Sequence, residues 1–328
     1  MNMAQDILED NIVKYGRSLL DILLQDKTTK KNIIWATDDY EKHGDMYKAH
    51  KEITSALITG SHTRIIQPRT TKAKEYQSSR TRDKAEVFTP AWVCNQQNNL
   101  IDEQWFGRAN VFNIPSGESW LRTIEKINFS QEKGKTWKDY IDARRLEISC
   151  GEAPYLVSRY DAVTGNVIPV LERIGLLDRK FRVVNENLED EDAWIKWAMR
   201  AVQSTYGYEF QGDNLLLARE NILYTFIDNM RYKFGHEPTL VLLKKVANIV
   251  AWNIWQMDGL TYTIPYGSAR EDEHQMSIFD FLHSEEAEEK EDENWMKMQM
   301  GPDTPFCKIR DWRAEKTVDY VSLVKGEC

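Results

Sequence analysis

LEISCGEAPYLVSRYD, residues 146–161, is the stretch whose reading decides the fold. A short apolar run closes on Glu147, and a turn of small residues holding Cys150 and Gly151 follows. What comes next reads as the start of a helix. A strand, a tight turn and a helix in that order are how an open α/β sheet offers backbone N–H groups to a nucleotide-type ligand. The turn departs from the usual form in one respect. It has a single glycine, with Pro154 standing where a glycine-rich loop would relax.

Working outward, RRLEIS is the strand that feeds the turn, and TYGYEF at 205–210 is a second, rich in aromatic and β-favouring residues. GDNLLLARENILYTFIDNMRYKFG then predicts a helix that Asp213 caps and Gly235 ends. EPTLVLLKKVANIVAWNIWQMD predicts another, with Pro238 inside its first turn, running towards Asn253 and Asp258. Upstream, residues 5–25 carry Ile7, Leu8, Ile12, Leu19, Leu20, Leu23 and Leu24 at helical spacing. A further helix is predicted from Pro90 through AWVCNQQNNLID, and Gly107, Pro115, Gly117 and Gly134 leave 106–136 irregular. The closing segment PFCKIRDWRAEKTVDYVSLVKGEC reads as a short hairpin or edge strands. No internal repeat is visible.

The chain has 328 residues, enough for a large core and one or two domains, and its 41% hydrophobic, 29% charged composition is that of a globular protein. No apolar run approaches the roughly 18–20 residues a membrane span needs. The acidic start MNMAQDILEDN lacks the basic opening of a signal peptide, so the expectation is a cytoplasmic protein. Cysteines at 94, 150, 307 and 328 form no CxxC pair, and His43 and His50 have no companion ligands, so no metal site is expected. The net charge of −9 is unevenly spread. Residues 285–293, EEAEEKEDE, hold seven acids and one lysine. Residues 64–84 instead carry Arg64, Arg69, Lys72, Lys74, Arg80, Arg82 and Lys84 against only Glu75 and Asp83. Such a basic run is either a solvated linker or a surface for DNA phosphates, which position a duplex without reading it.

Four pieces stand in one order: EVFTPAWVCNQQNNLID at 86–102, the opening stretch, STYGYEFQGDNLLLARENIL at 204–223, and NIWQMDGL at 253–260. The order resembles the cofactor half of the N6-adenine DNA methyltransferases of restriction–modification systems. There an F-T-P turn precedes a D-x-x-C-G-x-G loop, an acidic strand end before an L-A-R-x-N-L helix, and N-I-x-x-x-D. The resemblance spans about 86–260. It implies an α/β fold: a Rossmann-like S-adenosylmethionine-dependent core at 86–267, whose sheet can be incomplete. An N-terminal, mostly helical and basic region (1–85) would precede it, and an acidic segment with C-terminal strands (268–328) would follow.

The resemblance also assigns roles. Phe88, Thr89 and Pro90 match the turn that closes over the methionine part of S-adenosylmethionine. Glu147, Cys150 and Gly151 match the loop, where the missing Cβ of a glycine lets backbone approach the ligand. Glu209 takes the ribose hydroxyls and Asp258 the adenine amino group. Two departures stand out. The family's second loop glycine is Ala153, and the interval from Gly151 to Glu209 is long, pointing to an insertion around 161–200.

The larger departure is an absence. Methylating an exocyclic amine of a flipped base needs acceptors for the amine and a ring to stack on it. The family supplies them with [DN]PP[YF], expected after the fourth piece, whereas the nine prolines here are all isolated. The expectation is therefore a methyltransferase subunit of a restriction–modification or related defence system. It would bind S-adenosylmethionine and DNA (through Arg69, Lys72, Lys74, Arg80, Arg82 and Lys84). A partner would supply the catalytic motif and target recognition. A catalytically inactive, methyltransferase-like binding module and a truncated gene product are the other readings. Finally QMSIFDFL, 275–282, resembles through Gln275–Phe279 the short peptide that docks bacterial DNA-metabolism proteins on the sliding clamp; an amphipathic turn packed on this chain's own core would look the same.

Overall fold

The structure is a computed structural model, and it describes residues 9–71, 89–266 and 305–326. Phe88, Lys72, Lys74, Arg80, Arg82, Lys84, the Gln275–Phe279 peptide and the acidic run lie outside the described residues.

The described chain is mixed α/β, with ten α-helices and small sheets. Where one helix is expected over 5–25, there are two, α1 (Glu9–Tyr15) and α2 (Arg17–Leu24). The break is Gly16, whose φ of 147° is open to glycine and not to side-chain-bearing residues. Leu19, Leu20, Leu23 and Leu24 of α2 are fully buried. After α3 (Ser55–Ile58), α4 (Ala91–Phe106) follows Pro90 as predicted and stops at Gly107 in the left-handed region. The stretch expected to be irregular contains one hairpin, β1 (Asn113–Ser116) with β2 (Ser119–Arg122). A capping box between Thr136 and Asp139 opens α5 (Trp137–Asp142).

The centre is a parallel sheet of three strands, β3 (Arg145–Glu147), β4 (Thr205–Glu209) and β5 (Ile254–Gln256), in chain order. The crossover from β3 to β4 carries α6 (Leu176–Asn187) and α7 (Glu191–Gln203). The one from β4 to β5 carries α8 (Gly212–Phe234) and α9 (Leu240–Asn253). Sequential order with right-handed crossovers puts all four helices on one face, and they pack there as one layer. The other face holds Tyr206, Tyr208 and Trp255. It is covered by the C-terminal hairpin, β6 (Lys308–Asp311) and β7 (Lys316–Asp319), which leads into α10 (Tyr320–Val324).

Three further details differ from the sequence reading. No helix follows Gly151 directly: residues 151–174 form turns, a Tyr160–Val167 bridge and a 3-10 turn at Val170–Glu172 before α6 begins. Ala153 with φ 63° and Pro154 prevent helical continuation. The long interval is thus filled by this looped segment and the α6–α7 pair. Asp213 does not cap α8. Gln211 is the N-cap residue, and Asp213, inside the first turn, accepts from the Tyr40 hydroxyl at 2.7 Å. The segment 237–258 is not one helix either. Thr239 caps α9, leaving Pro238 outside, and Ile254–Gln256 leave the helix to pair with β4. Helical periodicity is a local signal, and here the tertiary pairing overrides it.

Candidate functional site

Strands β3, β4 and β5 all run the same way, so their C-terminal ends share one edge, where open α/β sheets place their ligands. Glu147 and Glu209 end the first two strands. Asp258 follows β5 directly after Met257, whose N–H donates to Glu209 O at 3.0 Å. The turn after β3 folds back along β4, with Cys150 N–H donating to Tyr208 O at 2.8 Å. Gly207 makes that possible, since Cys150 Sγ would lie 3.3 Å from a Cβ there.

The loop and the second strand meet at one hydrogen bond. Gly151 N–H donates to Glu209 Oε2 at 2.8 Å, and Gln211 N–H donates to Oε1 at 3.1 Å. Gly151 has φ 52°, and a Cβ built on it would meet nothing within 4 Å. The backbone therefore faces open space at that point. Ala153, the replaced glycine, is fully buried, so its methyl group packs in the core and not in that space.

Glu147 is buried beside this turn. Tyr155 N–H lies 3.4 Å from its Oε1, while Oε2 has no partner among the described residues. Burial pushes its carboxyl well above the usual range, and the nearby Glu209 charge adds to the push. Burial raises Glu209 as well, against the Gly151 and Gln211 N–H groups, which favour its charged form. The Cys150 and Cys94 thiols are also raised by burial, Cys94 to about 12, so neither is a thiolate nucleophile.

The F-T-P turn arrives from the other side. Cys94 Sγ lies 3.7 Å from Thr89 O, and the Thr89 side chain hydrogen-bonds the Tyr155 phenol. Pro90 is the N-cap residue of α4, and Ala91 N–H donates to Asp161 Oδ2 at 2.7 Å. Thr89, Pro90, Glu147, Cys150, Gly151 and Glu209 are therefore brought together. Asp258 shares the edge but is occupied locally: its Oδ1 accepts Leu260 N–H at 2.8 Å and Thr261 N–H at 3.3 Å. Arg69, within the basic run, donates its backbone N–H to Glu152 Oε1 at 2.7 Å, one residue beyond Gly151.

Sequence reasoning missed the residues that hold these groups in place. Asn221 of the LAREN helix donates to Glu152 O at 3.1 Å and lies 3.1 Å from the Tyr160 hydroxyl, which itself donates to Glu152 Oε2 at 2.5 Å. Its neighbour Arg219 is fully buried and donates to the carbonyls of Leu23, Gln25, Ala251 and Ile254. Asn253 donates to Val202 O, Gln203 O and Thr205 O, fixing where β4 begins. Gln256 exchanges two hydrogen bonds with the Ile34 backbone, both at 2.9 Å, and so straps the N-terminal region across the end of β5. The only sequence signal for these roles was the position of polar residues within otherwise apolar helices and strands.

Among the described residues no group of side chains could hold a metal ion, and no helix is long and apolar enough to cross a membrane. No protein family, curated protein or solved structure matches this chain.

Proposed function

We propose that the chain is the S-adenosylmethionine-binding part of an amino-methylating DNA methyltransferase. In this reading it acts on adenine N6 within a restriction–modification or related defence system. The sheet is then one half of a Rossmann-like core. A partner supplies the [DN]PP[YF] acceptors and target recognition, and one chain alone methylates nothing.

The observation that carries the reading is the contact between the Gly151 turn and Glu209, with open space in front of that glycine. An accessible backbone turn and a strand-end carboxylate, side by side, suit a ligand with an amino-acid part and a ribose diol. The unpartnered Oε2 of Glu147 fits the cofactor's ammonium group, the donor such a buried acceptor lacks. S-adenosylmethionine, when bound, supplies the electrophilic methyl group. The chain's own residues bind and orient it: Glu209 the ribose, Glu147 the ammonium, and the Thr89–Pro90 turn the methionine part.

Titration calorimetry with S-adenosylmethionine on the purified chain tests this. Binding is expected, and Glu209→Ala should weaken it about ten- to a hundredfold, the worth of a charge-assisted hydrogen bond. Unchanged affinity in that variant removes Glu209 from the site. No binding at all favours a methyltransferase-like module that has lost its cofactor.

A further inference from the structure

We infer that the cleft between the β1–β2 hairpin and α6 is a binding site for a phosphoryl group, either free phosphate or the phosphate end of a larger molecule. None of its lining residues belongs to the Gly151–Glu209 site, and the inference does not rest on the functional reading above.

The walls of this cleft are built from arginine. Arg122 comes from β2, Arg173 follows the 3-10 turn at Val170–Glu172, and Arg179 and Arg182 come from α6. The turn is tied to the hairpin, with Trp120 Nε1–H donating to Glu172 O at 2.9 Å. Arg182 ties the helix to both ends of the hairpin, donating to Phe112 O at 3.0 Å and to Thr123 O at 2.7 Å.

Guanidiniums gathered in one place need negative charge to offset them, and the chain supplies too little. Arg179 pairs with Asp102 and Arg182 with Glu186. Arg173 has to share: Asp228 Oδ2 accepts from it at 2.7 Å and from Arg159 at 2.9 Å. Arg122 lies 3.5 Å from Glu172 in a loose pair that solvent reaches. In these pairs five guanidiniums answer to four carboxylates.

The shortfall falls on one atom. Arg173 is 7% exposed; its Nε donates to Ile168 O at 3.3 Å and its Nη2 to Asp228. Its Nη1 is buried with no acceptor among the described residues. A buried donor in that state marks a missing partner. Water would take the hydrogen bond and leave the charge unanswered, whereas an anion takes both.

The shape of the cleft selects the anion. Its enclosed part is water-sized and the rest opens to solvent, so a ligand enters by one small head. Glu172 already brings a single carboxylate charge to the cleft, and Arg173 Nη1 is still without an acceptor. A phosphoryl group carries roughly two charges and three acceptor oxygens. It can draw Arg122 from Glu172 and answer Arg173 at once, each through the guanidinium fork that suits phosphate. Trp120 and Leu171 line the same cleft and would flank whatever the phosphate is attached to.

The test is titration calorimetry on the full chain at constant ionic strength, with inorganic phosphate, phenyl phosphate and acetate. Saturable one-to-one binding of a phosphate is expected, with acetate about tenfold or more weaker. Tighter binding of phenyl phosphate identifies a phosphate carried on a larger molecule, and tighter binding of inorganic phosphate the free ion. Arg122→Gln should weaken binding about tenfold or more through the lost charge-assisted hydrogen bond. If that variant does not fold, Arg122→Lys should give a smaller loss, since it keeps the charge and loses the fork. Glu172→Gln should tighten binding roughly two- to fivefold, because the competing carboxylate is gone. S-adenosylmethionine is absent throughout, so the result stands or falls apart from the functional reading. The inference is overturned if neither phosphate binds, if acetate binds as tightly, or if the Arg122 variants bind phosphate like the wild type.

Discussion

Burial outweighs pairing at Glu147, Glu209, Glu9 and Glu220. Glu147 is held above the usual carboxylate range chiefly by desolvation. A cofactor ammonium beside it would favour the charged form, so binding should expel a proton from Glu147. Affinity for S-adenosylmethionine is then expected to rise with pH until Glu147 is ionised in the free protein. Calorimetry in buffers of different ionisation enthalpy reads that proton directly, and Glu147→Gln should abolish it. Away from the site, Glu220 is buried with neither oxygen partnered among the described residues, and burial and the nearby Glu9 charge raise it. Glu9 itself is raised from 4.5 to about 8, mainly by burial. For Glu9, a folded-state value above the unfolded one means stability that is fully present below about pH 4.5 and lost as pH rises through about 8; Glu220 is raised in the same direction. Glu220→Gln should therefore raise the melting temperature more at alkaline than at acid pH. A shift of equal size at acid pH would show that the side chain's shape, not its charge, was responsible.

At the scale of elements, glycine substitutions separate packing from ligand space. A Cβ at Gly175 would sit 2.3 Å from Leu156 O, and one at Gly212 2.0 Å from Ile34 O. Gly175→Ala and Gly212→Ala should each lower stability by about 1–3 kcal/mol or more, since backbone has to move. Gly151→Ala meets open space and only the left-handed strain of roughly 1–3 kcal/mol. It should fold, yet bind S-adenosylmethionine more weakly; thermal melts and calorimetry on the three variants check the contrast. Why some elements were legible in the sequence and others were not follows from where their signals lie. RRLEIS, TYGYEF, the helix after Pro90 and the one ended by Gly235 declare themselves through local pattern and stop residues. β5 does not, because Ile254–Gln256 are strand only through their pairing with β4. The Gly16 break was missed because apolar spacing continued across it. Glu147, Gly151 and Glu209 were named through the resemblance, and the structure puts Glu147 and Glu209 at strand ends with Gly151 in the turn between. Glu152 and Asn221, which hold the turn, act across 69 residues of chain, and no local spacing announces that.

For the whole molecule, charge is the governing quantity. With a net −9, the isolated chain is expected to bind DNA poorly. In a complex with a partner carrying [DN]PP[YF], the basic run 64–84 is proposed to meet DNA phosphates, and Arg69 within it has its backbone beside the Glu152 turn. Binding of that complex to duplex DNA should then fall steeply with salt. Neutralising Arg80, Arg82 and Lys84 should reduce the log–log slope by up to about 0.9 for each phosphate that is no longer neutralised. An unchanged slope in a titration of labelled duplex would show that this run is solvated and touches no phosphate.

The clasp between Ile34 and Gln256 joins residues 222 apart in the chain. On the ribosome, at roughly 5–20 residues per second, Ile34 waits about 10–40 seconds for its partner to be made. For nearly all of that wait the leucine face of α2 has no α9 to lie against, since Leu240–Asn253 are made just before Gln256. The protein is therefore at its most adhesive while it is being born. A cell short of chaperones should lose it to aggregation before it ever becomes a folded chain.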